Sequence, residues 1–191
     1  MKIFKKISYN APVTLSFALL SLLVLLAGYL TNGKLTEMLF YCYRGSPFNP
    51  LTYIRLFTHC LGHVNWQHYI GNISYILLLG GLIEEKYGSK NLLKMILVTA
   101  FVSGVLNLLF FPNIAITGAS GVVFMFIVLA SVTSVRSGQI PLTMILVVMI
   151  YLGQEIYNAI FITDSISQFS HIIGGVMGAT IGLKMNWTNK R

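Results

Sequence analysis

The 191-residue chain is short of charge. Only 9% of its residues are Asp, Glu, Lys or Arg, and just 5 are acidic, whereas a soluble domain carries about 25% charged residues. With 55% hydrophobic residues and a mean hydropathy of +0.76, a water-covered surface is excluded and lipid becomes the expected solvent. Cysteine is scarce too: Cys42 and Cys60 are the only 2, too few for a disulfide framework. Both fall in one loop, where they either pair or remain free thiols. No CxxC or HExxH pattern occurs, and no repeat, low-complexity tract or linker divides the chain. One domain over residues 1–191 is expected, with no soluble regulatory domain. The net charge of +8 does not indicate nucleic acid, because the basic residues form no aromatic-interleaved patch. They cluster at the ends of apolar runs, as in membrane topology.

What is present is a series of runs near the ~20 residues that a membrane helix requires. Spans are expected at about 11–30, 66–83, 92–111, 119–135, 140–162 and 169–187. The first follows Lys2, Lys5 and Lys6 but lacks a cleavage site, so it reads as an uncleaved helix. Residues 31–65 mix turn formers with apolar and aromatic residues, as in a loop lying in the membrane interface. With the N-terminus inside, ten Lys and Arg residues fall on the inner side and Lys34, Arg44 and Arg55 on the outer. Both termini are then cytoplasmic.

This topology assigns each polar residue a depth. Ser120 and His171 are expected in the first turns of the fourth and sixth spans, both near the outer face. His68 opens the second span, and Asn72 follows at i+4 on the same helix face. Four polar groups from three helices can share one layer. Polar groups in a membrane are costly and face a bundle interior or a wet cavity. For Ser120 alone, helix packing is the simpler explanation, and for His171 a satisfied buried histidine. Their shared depth with His68 and Asn72 favours nucleophilic catalysis instead: the imidazole takes the hydroxyl proton during attack. His68, Asn72 and the Ser120 N–H at a helix N-terminus can supply oxyanion donors. Gly118 and Gly121 flank Ser120, and Gly174 and Gly178 give the last helix a small-xxx-small face.

Other readings compete. His59, His63 and His68 could supply three zinc ligands, but buried hydrogen-bonding roles for His59 and His63 fit better. Cys60 beside His59 is discounted as a nucleophile, since adjacent helical residues diverge. Asp164 is expected to be solvated. Glu155, within the fifth span, lines a wet gap or hydrogen-bonds in a protonated state.

At these residues the sequence resembles the rhomboid intramembrane serine proteases. Gly118-Ala-Ser-Gly121, the set His171, Gly174 and Gly178, the series His59, His63, His68 and Asn72, and the stretch from Gly80-Gly81 through Glu84 to Gly88 match the family's patterns from about Arg55 to Gly182. The resemblance implies an all-α, polytopic six-transmembrane-helix bundle with an interfacial first loop, in a bacterial plasma membrane. It implies a Ser120–His171 dyad near the outer face, an oxyanion hole from His68, Asn72 and the Ser120 N–H, transmembrane protein substrates, no metal and no cofactor. Arg55 matches the arginine of a Trp-Arg pair that anchors the first loop, although Ile54 replaces the tryptophan. Phe124 stands where many bacterial members carry a tyrosine stacked on the catalytic histidine, and Ser170 where an alanine often precedes it. Activity is expected to survive both changes. The alternatives are a catalytically inactive relative that binds membrane-protein clients, and a small transporter, which would need a polar path across the whole bilayer. Oligomeric state is left open.

Overall fold

The computed structural model describes residues 8–132 and 165–188, with isolated positions between 142 and 157; side chains of the last helix are described from 169 to 184. Among these residues every regular element is helical: α1 (Pro12–Leu30), α2 (Lys34–Phe40), α3 (Pro50–Thr58), a 3-10 turn (His59–Leu61), α4 (Trp66–Tyr87), α5 (Ser89–Phe110), α6 (Ser120–Val132) and α7 (Ser165–Thr188). Most of the fifth expected span, with Glu155, Asp164 and the basic residues at both ends of the chain, lies outside the described residues.

Helices α1 and α5 are each long and apolar enough to cross a membrane, with mean hydropathies of 2.3 and 2.1. The 22 residues of α4 and 24 of α7 have the length at 1.5 Å per residue, but they carry the polar groups of the expected site. The chain is an integral membrane protein. Its lipid-type surface is plain on α1, where Leu19, Leu23 and Leu30 are exposed while Thr14, Phe17, Ala18, Ser21, Leu25 and Gly28 are buried. The buried set follows the helical i, i+3, i+4, i+7 spacing.

Pro12 opens α1 with its φ already helical and no N–H to satisfy, and Ala11 offers no side-chain cap. The cap comes from α4 instead. The Glu84 carboxylate accepts the Val13 N–H at 2.9 Å, the Thr14 N–H at 2.9 Å and the Thr14 hydroxyl at 2.8 Å. The carboxylate thus meets the positive end of the α1 dipole. The start of α1 and the end of α4 are thereby fixed at one level. Above them, Ile76, Met125, Phe126 and Leu129 form a fully buried core between α4 and α6. Gly80 lets the Phe126 ring approach: an added Cβ would lie 2.9 Å from it.

The first loop, residues 31–65, contains short helices. It folds into α2, α3 and the 3-10 turn, with Asn49 capping α3 by accepting the Leu51 N–H at 3.0 Å. Arg55, 4% exposed, donates from Nε to the Met38 carbonyl at 2.8 Å, and its guanidinium lies 4.2 Å from the Tyr43 ring centre. Arg55 thus ties the loop together without the tryptophan, while Ile54 is exposed. Cys42 and Cys60 are buried free thiols.

Two boundaries differ from expectation. Helix α4 runs to Tyr87 because Glu84 is buried as a cap rather than ending the helix in solvent. Helix α7 begins at Ser165, so His171 sits nearly two turns in and not in the first turn. Hydropathy marks where an apolar run starts, and polar residues continue this helix beyond it.

Candidate active site

Gly118 has φ +121, a conformation that side chains rarely adopt. Two residues on, Ser120 is the first residue of α6, where backbone N–H groups lack intrahelical partners. The loop holding it is tied on two sides. Cys42 and Ile116 exchange backbone hydrogen bonds of 2.9 and 3.0 Å, and the Gly118 N–H donates to the His59 carbonyl at 3.0 Å.

From α4, His68 and Asn72 converge on this turn. Asn65 caps α4 by accepting the His68 N–H at 2.8 Å, which sets His68 in the first turn. A Cβ added at Gly118 would lie 2.6 Å from His68 Nε2 and 3.7 Å from Asn72 Nδ2. The Asn72 amide nitrogen is buried and makes no hydrogen bond among the described residues.

From α7, the His171 ring lies flat on Phe124, with centroids 4.3 Å apart and planes 6° from parallel. The two helices touch backbone to backbone. A Cβ on Gly174 would collide with the Gly121 carbonyl, one on Gly178 with the Met125 carbonyl, and one on Gly182 would lie 2.8 Å from Val132. The fourth span is thus the neighbour that the small-xxx-small face packs against. Gly121, next to Ser120, faces the Ser170 carbonyl, which precedes His171; a Cβ there would lie 3.3 Å from that oxygen.

A cavity of about 360 Å³ opens beside Ser120 and is lined among others by His68, His59, Thr99, Ser103 and Ser170. The hydroxyls of Thr99, Ser103 and Ser170 are buried without a hydrogen-bond partner among the described residues. The sequence reading missed this polar wall. Its signal was the i, i+4 pair Thr99 and Ser103 within an otherwise apolar α5.

The neighbouring titratable groups are held neutral. Burial pushes His59 down to about 4 and His63 down to about 4. Their Nδ1 atoms lie 3.0 Å from the Arg55 carbonyl and 3.2 Å from the Leu61 carbonyl. Each ring thus has one backbone partner, while His63 Nε2 is buried without a partner among the described residues, and His63 packs edge-on against His68 at 5.0 Å. Burial pushes the Cys60 thiol up to about 12, so it lines the cavity as a protonated thiol.

The family model described as Rhomboid domain matches residues 50–187, most of the chain. The chain belongs to the rhomboid family. Rhomboid proteins are generally serine proteases that act on membrane-protein substrates within the bilayer. The matched region spans α3 to α7 and includes every residue that converges on Gly118–Ser120.

Proposed function

We propose that this rhomboid protein is an intramembrane serine endopeptidase with Ser120 as nucleophile and His171 as general base. As the Ser120 oxygen attacks a substrate carbonyl carbon, its proton passes to the His171 imidazole. The resulting oxyanion is met by His68, the Asn72 amide and the Ser120 N–H. The tetrahedral intermediate collapses, the C–N bond breaks, and the leaving amine takes the proton from His171. Water then attacks the acyl ester with His171 again as base, the ester bond to Ser120 breaks, and the Ser120 oxygen takes the proton back from His171.

The observation that carries this reading is the convergence of α4, α6 and α7 on one turn, with a buried amide donor left unpaired beside it. An unsatisfied buried donor costs about 1–3 kcal/mol, and a transient oxyanion is a suitable acceptor. Phe124 stacked on His171 fixes the ring plane without a hydroxyl. The orphan hydroxyls of the cavity wall are suited to hold the hydrolytic water. The high thiol pKa at Cys60 supports serine over cysteine. Residues 1–191 then form one domain of six membrane helices, with both termini cytoplasmic and the site near the outer face. Substrates are transmembrane helices whose outer ends unwind readily, since a helix hides its carbonyls in hydrogen bonds.

Cleavage of a transmembrane test substrate in proteoliposomes, by wild type, Ser120→Ala and His171→Ala, decides the matter. Cutting by wild type alone is expected. Equal cutting by all three overturns the dyad, and no cutting of any of several substrates makes the chain an inactive client-binding relative.

A further inference from the structure

A second cavity, of about 440 Å³, lies on the other side of Cys60 from the candidate active site. Its walls are Val13 and Leu20 of α1 and Leu93 and Leu97 of α5, and Phe57 and Leu61 of the first loop close it off. From Pro12 to Leu20 is about 12 Å of helix at 1.5 Å per residue. That approaches the ~15 Å depth of one leaflet, half of a ~30 Å hydrocarbon core. The groove therefore opens at the end where α1 and α5 begin, cytoplasmic by the count of basic residues, and stops beneath the first loop.

Its mouth is cationic. Lys90 lies three and seven residues before Leu93 and Leu97, on the same helix stripe, and Lys94 flanks it. Both lysines are exposed, and neither forms an ion pair among the described residues. The Glu84 carboxylate is buried and engaged by the Val13 and Thr14 N–H groups and by the Thr14 and Ser89 hydroxyls.

We propose that this groove binds one acyl chain of an anionic glycerophospholipid from the cytoplasmic leaflet, with Lys90 and Lys94 on its phosphate-bearing headgroup. The apolar walls select the chain, and the lysines select the charge. Cys60 lines this groove and the catalytic cavity alike. The lipid thus supports the 3-10 turn whose His59 carbonyl holds Gly118. That last consequence rests on the protease reading, but the binding does not.

The test is native mass spectrometry of the full chain, exchanged against phosphatidylglycerol and phosphatidylcholine of identical acyl chains. Two interfacial lysines, each worth about fivefold, give a preference for phosphatidylglycerol of about 25-fold. The double variant Lys90→Gln, Lys94→Gln should abolish that preference, and Lys34→Gln should leave it intact. Ser16→Phe, which fills the groove from an exposed position on α1, should release both lipids with the lysines untouched; Leu97→Phe serves if Ser16→Phe does not fold. Equal retention of the two lipids by wild type overturns the proposal. A preference that survives the lysine double variant, or that is indifferent to filling the groove, overturns it as well. Because retention is read by mass, Ser120→Ala should behave as wild type, so failure here and failure of the protease reading are distinguishable.

Discussion

Two polar clusters sit at opposite ends of this bundle and are treated in opposite ways. At one end the Glu84 carboxylate is buried with four donors around it, and the Val13 and Thr14 N–H groups of α1 gain acceptors. At the other end Asn72, Thr99, Ser103 and Ser170 are buried with polar atoms unpaired among the described residues. Both clusters occupy a low-dielectric interior where an unpaired polar group is expensive. A satisfied cluster stabilises the fold. An unsatisfied one is maintained by the surrounding structure at a cost, and its open valences are available to a reacting molecule.

The comparison predicts that activity and stability separate between the two ends. Ser120→Ala is expected to lower cleavage by at least about 10⁴-fold while leaving the thermal unfolding midpoint unchanged. Glu84→Ala should do the reverse. It strands buried donors and lowers stability by about 3–5 kcal/mol, visible as a lower unfolding midpoint in detergent, while the folded fraction still cleaves. A Glu84→Ala protein that loses cleavage at an unchanged midpoint would break the division. Asn72→Ala sharpens it: kcat should fall by about 10²–10³-fold, with stability level or slightly improved, because an orphan donor has been removed.

A smaller effect comes from the histidines beside the site. In the folded protein His59 and His63 each take a proton only near pH 4, whereas an unfolded histidine does so near 6.5. Unfolding therefore takes up protons between these values, and stability falls as pH drops from about 6.5 toward 4. At pH 5 the loss is about 2 kcal/mol per imidazole. His63→Gln should flatten part of this slope in a pH series of unfolding midpoints, and an unchanged slope would show that burial does not hold that ring neutral.

The sequence made the Ser120 cluster easier to anticipate than the Glu84 cap. Ser120, His171, His68 and Asn72 announce themselves because polar residues interrupt apolar runs, and topology turns chain position into depth. The α7 contact could be anticipated because Gly174 and Gly178 repeat at helical spacing. Glu84 looked like an ordinary charge at the end of a span. Its partners lie 70 and 71 residues away, and no local pattern reports a cap supplied by another helix. The His59 carbonyl that holds Gly118 was equally hidden, since every residue has a carbonyl. The helices of the first loop were not legible because α2 and α3 have only 7 and 9 residues, too short for periodicity to emerge. The start of α7 was placed too late because a helix can continue into polar sequence where hydropathy falls.

The glycine seam between α6 and α7 also constrains how anything reaches the site from the side. At Gly174 and Gly178 the seam closes on main-chain atoms of α6, and Gly182 closes on the Val132 side chain. Main-chain atoms cannot swing aside as a long side chain can. Parting these helices would mean separating them along their length and dismantling the Phe124–His171 stack at the same time. The seam therefore acts as the hinge-side post of a doorway, and a guest helix arriving through the bilayer must come in past some other wall.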